Sequence, residues 1–270
     1  MIDIIRELGD SRRYNFHSHT EFCDGRAQME AFAREVVKRG FTHYGFTPHS
    51  PVPIESSRNM TRGHVADYDR EFCRICDTYG DRCRFYRGME IDYLGKHWGA
   101  ANDYFASLDL DYSIGSVHFI PDRSGNLIDV DGRFPAFKEK MSRYFDEDIR
   151  YVVEKFYEHS ISMVEEGGFD IVGHLDKIGC NASQYSPGIE SESWYLALVN
   201  ELIDKIIAAD YVVEINTKIA SDTGRFFPGR QYWKRLIDGG VKILVNSDAH
   251  VPALIDSGRD MAFSSLDELK

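Results

Sequence analysis

The feature that most constrains the fold of this chain is a regular alternation of short, apolar, β-rich runs with longer segments of helical spacing. Each run is separated from the next by a connection long enough to return the chain to the same edge of a sheet, so consecutive strands should be parallel. There are seven such runs, at residues 14–20, 41–50, 84–93, 111–119, 169–176, 211–217 and 241–250. The pattern predicts an α/β fold.

The connecting segments have apolar residues near i, i+3, i+4 and i+7, which indicates amphipathic helices over residues 27–40, 147–168 and 191–210. Glycines stand where these and later helices should stop, at Gly40, Gly167, Gly168, Gly239 and Gly240. No linker of Pro, Gly or Ser divides the series, and single α/β barrels commonly have this length. We therefore expect one barrel domain over residues 1–270.

Two short motifs carry polar groups at the ends of the first and last strands. In "HSHT", His17 and His19 should point to the same face of a strand while Ser18 points away, because side chains alternate. In "SDAH", Asp248 and His250 repeat that geometry. Either pair alone is weak evidence, since a His-x-His is often a surface accident.

The other strands repeat this placement. A metal-type side chain lies at or just past the carboxyl end of each of four further strands, namely His49, Glu90, His118 and His174. The sixth strand is the gap, because it ends at Asn216. The carboxyl ends of parallel barrel strands meet at one mouth, where active sites are built. We interpret the remaining histidines as surface or packing residues: His43, His64, His97 and His159.

Each of these groups has a simpler explanation when taken singly, as a salt-bridged carboxylate or a hydrogen-bonded core imidazole. Eight of them directed at one cavity could not be buried cheaply without cations. Zinc takes about four ligands, and mixed nitrogen and oxygen donors suit zinc, iron or manganese. The set therefore predicts more than one divalent transition metal.

The composition narrows the class of function. The net charge of −12 argues against a nucleic-acid-binding surface, which is normally basic. It would also repel an anionic substrate unless bound metals supply positive charge. The acidic N-terminal stretch has no signal-peptide core, and no run is apolar enough to span a membrane. The five cysteines are odd in number and scattered along the chain, which fits a reducing compartment better than a disulfide framework. We expect a cytoplasmic protein that binds neither membrane nor nucleic acid.

Cys73 and Cys76 form a lone CxxC within a segment of helical spacing. A zinc knuckle would usually require a second pair of ligands. A helix that packs its cysteines is the favoured interpretation.

Assembled in order, "HSHTEFCDG", "GFTPHSP", "GMEIDYL", "DYSIGSVHF", "FDIVGHLD", "EINT" and "SDAH" resemble the polymerase-and-histidinol-phosphatase (PHP) family, and within it the histidinol-phosphate phosphatases. These stretches lie between residues 14 and 250, nearly the whole chain. The resemblance implies a distorted seven-stranded (β/α)7 barrel with three metals at the carboxyl ends of the strands.

The resemblance also implies roles for the metal-type residues. One metal would be surrounded by His17, His19, Glu90 and Asp248, with Glu90 bridging to a second that His118 and His174 also hold. His49 and His250 would bind a third, completed by Asp24. Some relatives have a histidine one residue further on, where this chain has Gly25, so without Asp24 the third site would be weak or empty.

The implied activity is hydrolysis of L-histidinol phosphate to L-histidinol and phosphate, a step of histidine biosynthesis. A hydroxide bridging two metals would attack in line, with Asp248, His250 and Glu90 as the catalytic set. A guanidinium should meet the developing charge on the phosphate. The candidates are Arg58, Arg62, Arg133, Arg225 and Arg230. Resemblance favours Arg225, and Arg133 and Asn216 complete the predicted substrate-binding residues.

Two other functions stay open at this point. A PHP-type phosphoesterase could act on another small phosphate ester or a nucleotide, and a non-catalytic relative could bind metals for stability alone. The segment 121–146 follows the fourth strand and should shape the substrate pocket with Asp129, Asp131 and Phe134. Its acidic groups would suit the ammonium and imidazole of L-histidinol, although a solvated acidic loop is the commoner case.

Overall fold

This computed structural model of the protein describes residues 1–269, so Lys270, the last residue of the predicted domain, lies outside the described residues. Seven parallel strands form one sheet. In chain order they are β1 (Tyr14–Asn15), β2 (His43–Phe46), β3 (Arg84–Asp92), β4 (Tyr112–Ser116), β7 (Ile171–Val172), β8 (Val212–Asn216) and β9 (Lys242–Asn246). Each lies within one of the seven predicted runs, and neighbours in the sheet follow this order.

The two edges of the sheet, β1 and β9, meet through side chains and one bridge beyond the strands. Ser18 pairs with Ala249, and the His19 backbone N–H donates to the carbonyl of Ala249 at 2.9 Å. Nearer the strands, Asn246 Oδ1 accepts from the Phe16 N–H at 2.9 Å. The sheet therefore curls into a nearly closed barrel. It is distorted at this point because a side-chain amide takes the place of a backbone ladder.

Helices surround the barrel. They are α1 (Ile2–Leu8), α2 (Met29–Lys38), α3 (Val65–Tyr79), α4 (Asp103–Ala106), α5 (Phe134–Tyr144), α6 (Ile149–Glu166), α7 (Ile178–Tyr185), α8 (Ser193–Ala208), α9 (Ala220–Thr223), α10 (Trp233–Asp238) and α11 (Arg259–Asp267). The three predicted helices correspond to α2, α6 and α8. Their apolar stripes face the sheet; α2, for example, buries Met29, Phe32, Ala33 and Val36. No helix within residues 1–269 is both long and apolar enough to span a membrane.

The segment after β4 has more structure than the sequence indicated. It contains an antiparallel hairpin of β5 (Phe119–Pro121) and β6 (Leu127–Asp129), followed by α5. Asp122 organises the turn by accepting hydrogen bonds from the backbone of Ser124 and Asn126. Val130 then donates its N–H to the carbonyl of His118 at 2.8 Å, which returns the chain to the end of β4.

The lone CxxC lies on α3, as the helical spacing predicts. Cys73 is exposed and Cys76 is half-buried, and both are free thiols. Among the described residues, no group of side chains placed to hold a metal includes either cysteine.

Candidate metal centre

The two histidines of "HSHT" lie side by side and are fully buried at the carboxyl end of β1. Their Nε2 atoms are 3.1 Å apart, and His19 Nε2 is also 3.1 Å from Asp248 Oδ1. Ser18 points the other way and donates its hydroxyl to the carbonyl of Gly45. Strand alternation thus delivers both imidazoles to one side.

Glu90 lies in the middle of the cluster, with its two oxygens facing different partners. Oε1 is 2.9 Å from His174 Nε2 and 3.6 Å from His118 Nε2. Oε2 is 2.9 Å from His49 Nδ1 and 3.3 Å from His17 Nε2. A parallel bridge between residues 49 and 90 sets this register. A carboxylate in this position can serve two ions at once.

A third group forms at the rim around Asp24. Its Oδ1 is 3.2 Å from His250 Nε2 and 3.7 Å from His49 Nε2. The ring of His19 lies against both of these imidazoles, with centroids 4.2 and 4.3 Å away. Asp24 therefore reaches the cluster.

The backbone of Asp248 has a φ of 49°, in the left-handed region that non-glycine residues seldom occupy. Such a conformation costs on the order of 1 kcal/mol and persists where the surroundings impose it. Here it accompanies contacts of Oδ1 with His19 at 3.1 Å and with His250 Nδ1 at 3.4 Å.

A second layer of polar groups orients the imidazoles. Glu214 Oε2 accepts from His17 Nδ1 at 2.9 Å, and Asp92 Oδ1 accepts from His118 Nδ1 at 2.7 Å. In both rings Nε2 is left facing the cluster, which is how carboxylates commonly fix a metal-binding histidine. Neither Glu214 nor Asp92 was predicted from the sequence. Asp92 stands two residues after Glu90, so strand alternation could have found it.

Burial and neighbouring charges set the protonation of the cluster. Burial opposes the ionised form of Glu90, but the imidazoles of His17, His49 and His118 bring its pKa well below the usual range. Burial, together with the neighbouring Lys177, lowers the pKa of His174 to about 4. For His17, burial acts against protonation, yet Glu214, Asp248 and Glu90 raise its pKa. These carboxylates thus require positive charge at the centre of the cluster.

The donor set fits divalent metals. Four groups of three or four side chains each bring ligand atoms within 4.8 Å of one another: His19, Asp24, His49 and His250; His17, His19 and Asp248; His49, Asp92 and His118; and Glu90, His118 and His174. Within the described residues, Glu90 Oε2 and Asp24 Oδ1 are buried, and the imidazole nitrogens close to them do not stand in hydrogen-bonding geometry. A buried carboxylate oxygen in that state is costly unless a cation contacts it. Mixed nitrogen and oxygen donors suit zinc, iron or manganese.

The predicted substrate-binding residues lie elsewhere or are already engaged. Arg225 donates to Glu190 from both Nη atoms, at 2.9 and 2.7 Å, beside a cleft of about 600 Å³. Arg133 is exposed at the residue before α5. Asn216 is buried and donates its amide to Glu214 and Asp248. Among the described residues, no hydrogen bond or ion pair joins Arg225 or Arg133 to the cluster, so their roles stay predictions.

Two lysines that were not predicted from the sequence lie at or near the cluster. Lys218 Nζ is 3.1 Å from Asp248 Oδ1 and 3.4 Å from His250 Nε2. Lys177 is bound to Asp131 at 3.1 Å and lies one turn after His174. Their signal in the sequence is only that each follows the end of a strand by a few residues.

Comparison with known proteins identifies the family. The family model described as PHP domain matches residues 15–218, well over half of the chain. The chain therefore belongs to the PHP domain family.

Two curated relatives share the name histidinol-phosphatase. A Schizosaccharomyces pombe protein is 22% identical over 271 residues, covering 93% of this chain and 85% of its own length. The Bacillus subtilis histidinol-phosphatase is 28% identical over 160 residues, covering 55% of this chain and 58% of that protein. The first similarity runs through nearly the entire barrel.

Two solved structures have the same fold. A Listeria monocytogenes protein described as a histidinol phosphatase superposes with a TM-score of 0.81 at 16% identity, covering 92% of this chain and 99% of that one. A Lactococcus lactis histidinol phosphate phosphatase was solved with zinc, L-histidinol and phosphate. It superposes with a TM-score of 0.69 at 19% identity, covering 95% of this chain and 91% of that one. The distorted seven-stranded barrel is thus confirmed.

Proposed function

We propose that this protein is a metal-dependent phosphomonoesterase that hydrolyses L-histidinol phosphate to L-histidinol and phosphate. The observation that carries the proposal is the convergence of buried imidazoles and carboxylates on Glu90, whose two oxygens face separate groups of ligands. The names of the curated relatives support the substrate, as does the bound L-histidinol and phosphate in the Lactococcus lactis protein.

We assign the metal ligands as the sequence predicted them. They are His17, His19, Asp24, His49, Glu90, His118, His174, Asp248 and His250, holding two or three ions of zinc, iron or manganese. When bound, such ions lower the pKa of water toward 7 and offset the charge that develops on phosphoryl oxygens. Zinc in the Lactococcus lactis structure supports this choice of metal class.

The chain's own residues prepare that chemistry. Glu214 and Asp92 hold a proton on Nδ1 of His17 and His118, so that each Nε2 presents a lone pair to the cluster. Asp248, His250 and Glu90 surround the reacting position. Lys218 adds an ammonium beside Asp248 at the rim. Together they place fixed charges where the phosphate ester must bind.

The charge of the whole protein favours this substrate over polyanions. At −12, the protein repels nucleotides and bisphosphates outside the cluster. A substrate with a single phosphate and a cationic tail is repelled less.

All five cysteines are unpaired, which agrees with a reducing compartment. We also propose that the protein acts in the cytoplasm. We further propose that residues 1–270 form a single domain whose ligands are small molecules and neither nucleic acid nor membrane.

A panel of phosphate esters tests the substrate. The protein is loaded separately with zinc, manganese and iron, and kcat/KM is measured for L-histidinol phosphate, p-nitrophenyl phosphate, a nucleoside monophosphate and a sugar bisphosphate. We expect L-histidinol phosphate to be preferred with at least one metal. A nucleotide or bisphosphate that is hydrolysed faster would refute the substrate and leave the metal centre standing.

A further inference from the structure

A mostly buried carboxylate that pairs with two basic side chains lies beside the metal ligands. Asp131 Oδ2 accepts from Arg58 Nη1 at 2.8 Å and is 3.1 Å from Lys177 Nζ. The three side chains, called here the Asp131 cluster, come from the segment after β2, from the segment after β6 and from the start of α7. Their side chains are 28%, 17% and 13% exposed for Arg58, Asp131 and Lys177.

The backbone ties two members of this cluster to proposed metal ligands. Lys177 donates its N–H to the carbonyl of His174 at 2.9 Å, so it lies one turn beyond that ligand. Asp131 directly follows Val130, whose N–H binds the carbonyl of His118 at 2.8 Å. Both contacts place the Asp131 cluster on the side of the metal centre formed by His118 and His174.

The third member is held through its neighbour. Asn59 follows Arg58 and donates its amide to Asp92 Oδ2 at 2.6 Å. Asp92 in turn binds Nδ1 of His118. Arg58 is therefore connected to the same side of the centre by a chain of two hydrogen bonds.

The cluster carries more positive charge than it needs for its own pairing. One cation would neutralise Asp131, but two are bound. Asp129 and Lys140 stand close by, with Asp129 Oδ2 3.6 Å from Arg58 Nε and 3.5 Å from Lys140 Nζ. Three bases and two acids leave one positive charge in a protein of net charge −12. The carboxylates of Glu90 and Asp248 also attract Lys177. Once divalent metals neutralise those carboxylates, the surplus positive charge is left to an anion that binds at the metal centre.

We propose that Lys177 and Arg58 bind the phosphoryl oxygens of the substrate, with Asp131 as the residue that positions both. A lysine supplies a compact point charge, and a guanidinium supplies donors in a plane that matches phosphate. This assignment rests on the proposed function, whose phosphate end it completes. It differs from the sequence prediction of Arg225, whose guanidinium is occupied by Glu190.

The test uses the metal-loaded protein and inorganic phosphate as the probe. Phosphate binding is measured by calorimetry, and metal content is measured on the same samples. Lys177→Met should weaken phosphate binding about 10- to 100-fold, the usual loss for a hydrogen bond to a charged group. Metal content should stay unchanged. Lys177→Arg should restore most of the affinity because it keeps the charge.

Arg123→Ala is the matched control. Arg123 lies in the turn between β5 and β6, the hairpin that precedes Asp131. Its side chain is exposed and pairs with Asp148 at 2.6 Å. Its loss should leave phosphate affinity unchanged. If Lys177→Met fails to fold or to load metal, Arg58→Met decides the matter, and it should weaken phosphate binding to a similar degree.

Several results would overturn the proposal. One is phosphate affinity equal to that of the wild type in both Lys177→Met and Arg58→Met. Another is a loss of phosphate affinity in Arg225→Ala without such a loss in Lys177→Met. The third is failure of both Lys177→Met and Arg58→Met to load metal. These outcomes are separate from the substrate question. If the wild type binds phosphate but does not hydrolyse L-histidinol phosphate, the proposed function fails while the phosphate-binding result for Lys177 still stands or falls by itself.

Discussion

One part of the protein buries aromatic rings around β1, β3 and β4, whereas the carboxyl ends of the barrel strands bury imidazoles and carboxylates. The aromatic layer consists of Tyr14, Phe16, Tyr86, Tyr112 and Phe263. The ring centroid of Phe16 is 5.5 Å from that of Tyr86 and 5.7 Å from that of Tyr112. In the metal layer, the fully buried His17 is next in the chain to Phe16.

One layer stabilises itself and the other does not. Buried rings gain free energy from removal of apolar surface and from edge-to-face contact. The carboxylates of the metal layer lose their hydration on burial. Only positively charged partners can offset the free energy that this loss costs. The comparison therefore predicts that changes in the metal layer act on activity and metal content, and changes in the aromatic layer act on stability.

Removal of the metals should have the largest effect. Chelation should abolish phosphatase activity, and add-back of zinc, manganese or iron should restore it. The free energy of unfolding should also fall, by about 3 kcal/mol for each site that had been loaded at 100 times its Kd. Elemental analysis, activity and thermal unfolding measure this. Full activity in metal-free protein would end the metal-centre interpretation.

Glu90→Gln should come next, because one carboxylate faces ligands of two groups. We expect loss of more than one equivalent of metal and a fall in kcat on the order of 100- to 1,000-fold, because the lost ions would no longer offset charge in the transition state. Glu7→Gln, which alters a surface partner of Arg84, is the control and should change neither. A Glu90→Gln protein with full metal load would show that this residue is not the bridge.

Glu214→Gln should have a smaller effect on the same layer. The variant keeps an acceptor for His17 Nδ1 but loses the charge, and changes of this kind typically cost 10- to 100-fold in metal affinity. Metal titration measures the Kd. Asp92→Asn is the counterpart for His118 and should weaken a different ion. Unchanged affinity in both would mean that this outer layer does not orient the ligands.

Phe263→Ala should affect the metal layer least. Phe263 packs edge-on against Tyr14 in the aromatic layer, at 6.2 Å between centroids. Its loss should lower the free energy of unfolding by about 3 to 5 kcal/mol. Metal stoichiometry and kcat should remain those of the wild type at temperatures where the variant is folded. A loss of bound metal in the folded variant would show that the two layers are coupled.

Much of the fold was predictable because it depends on local periodicity. All seven strands lie within the predicted runs, and α2, α6 and α8 lie within predicted helices. The hairpin of β5 and β6 was missed, since each strand has three residues and too short an alternation to recognise. Asn246 at the barrel closure was missed as well, because its partner Phe16 is 230 residues away.

The amino-acid sequence alone was enough to predict that the histidines and acids of the metal layer share one end of the barrel. Strand alternation fixes the side, and parallel order fixes the end. Which basic side chains lie beside them became evident from the three-dimensional structure. Arg58 meets Asp131 across 73 residues, and Arg225 turns instead to Glu190, 35 residues before it. No sequence periodicity relates such partners, because loops of different lengths bring them together. Their pairing depends on which buried carboxylate still needs a positively charged partner.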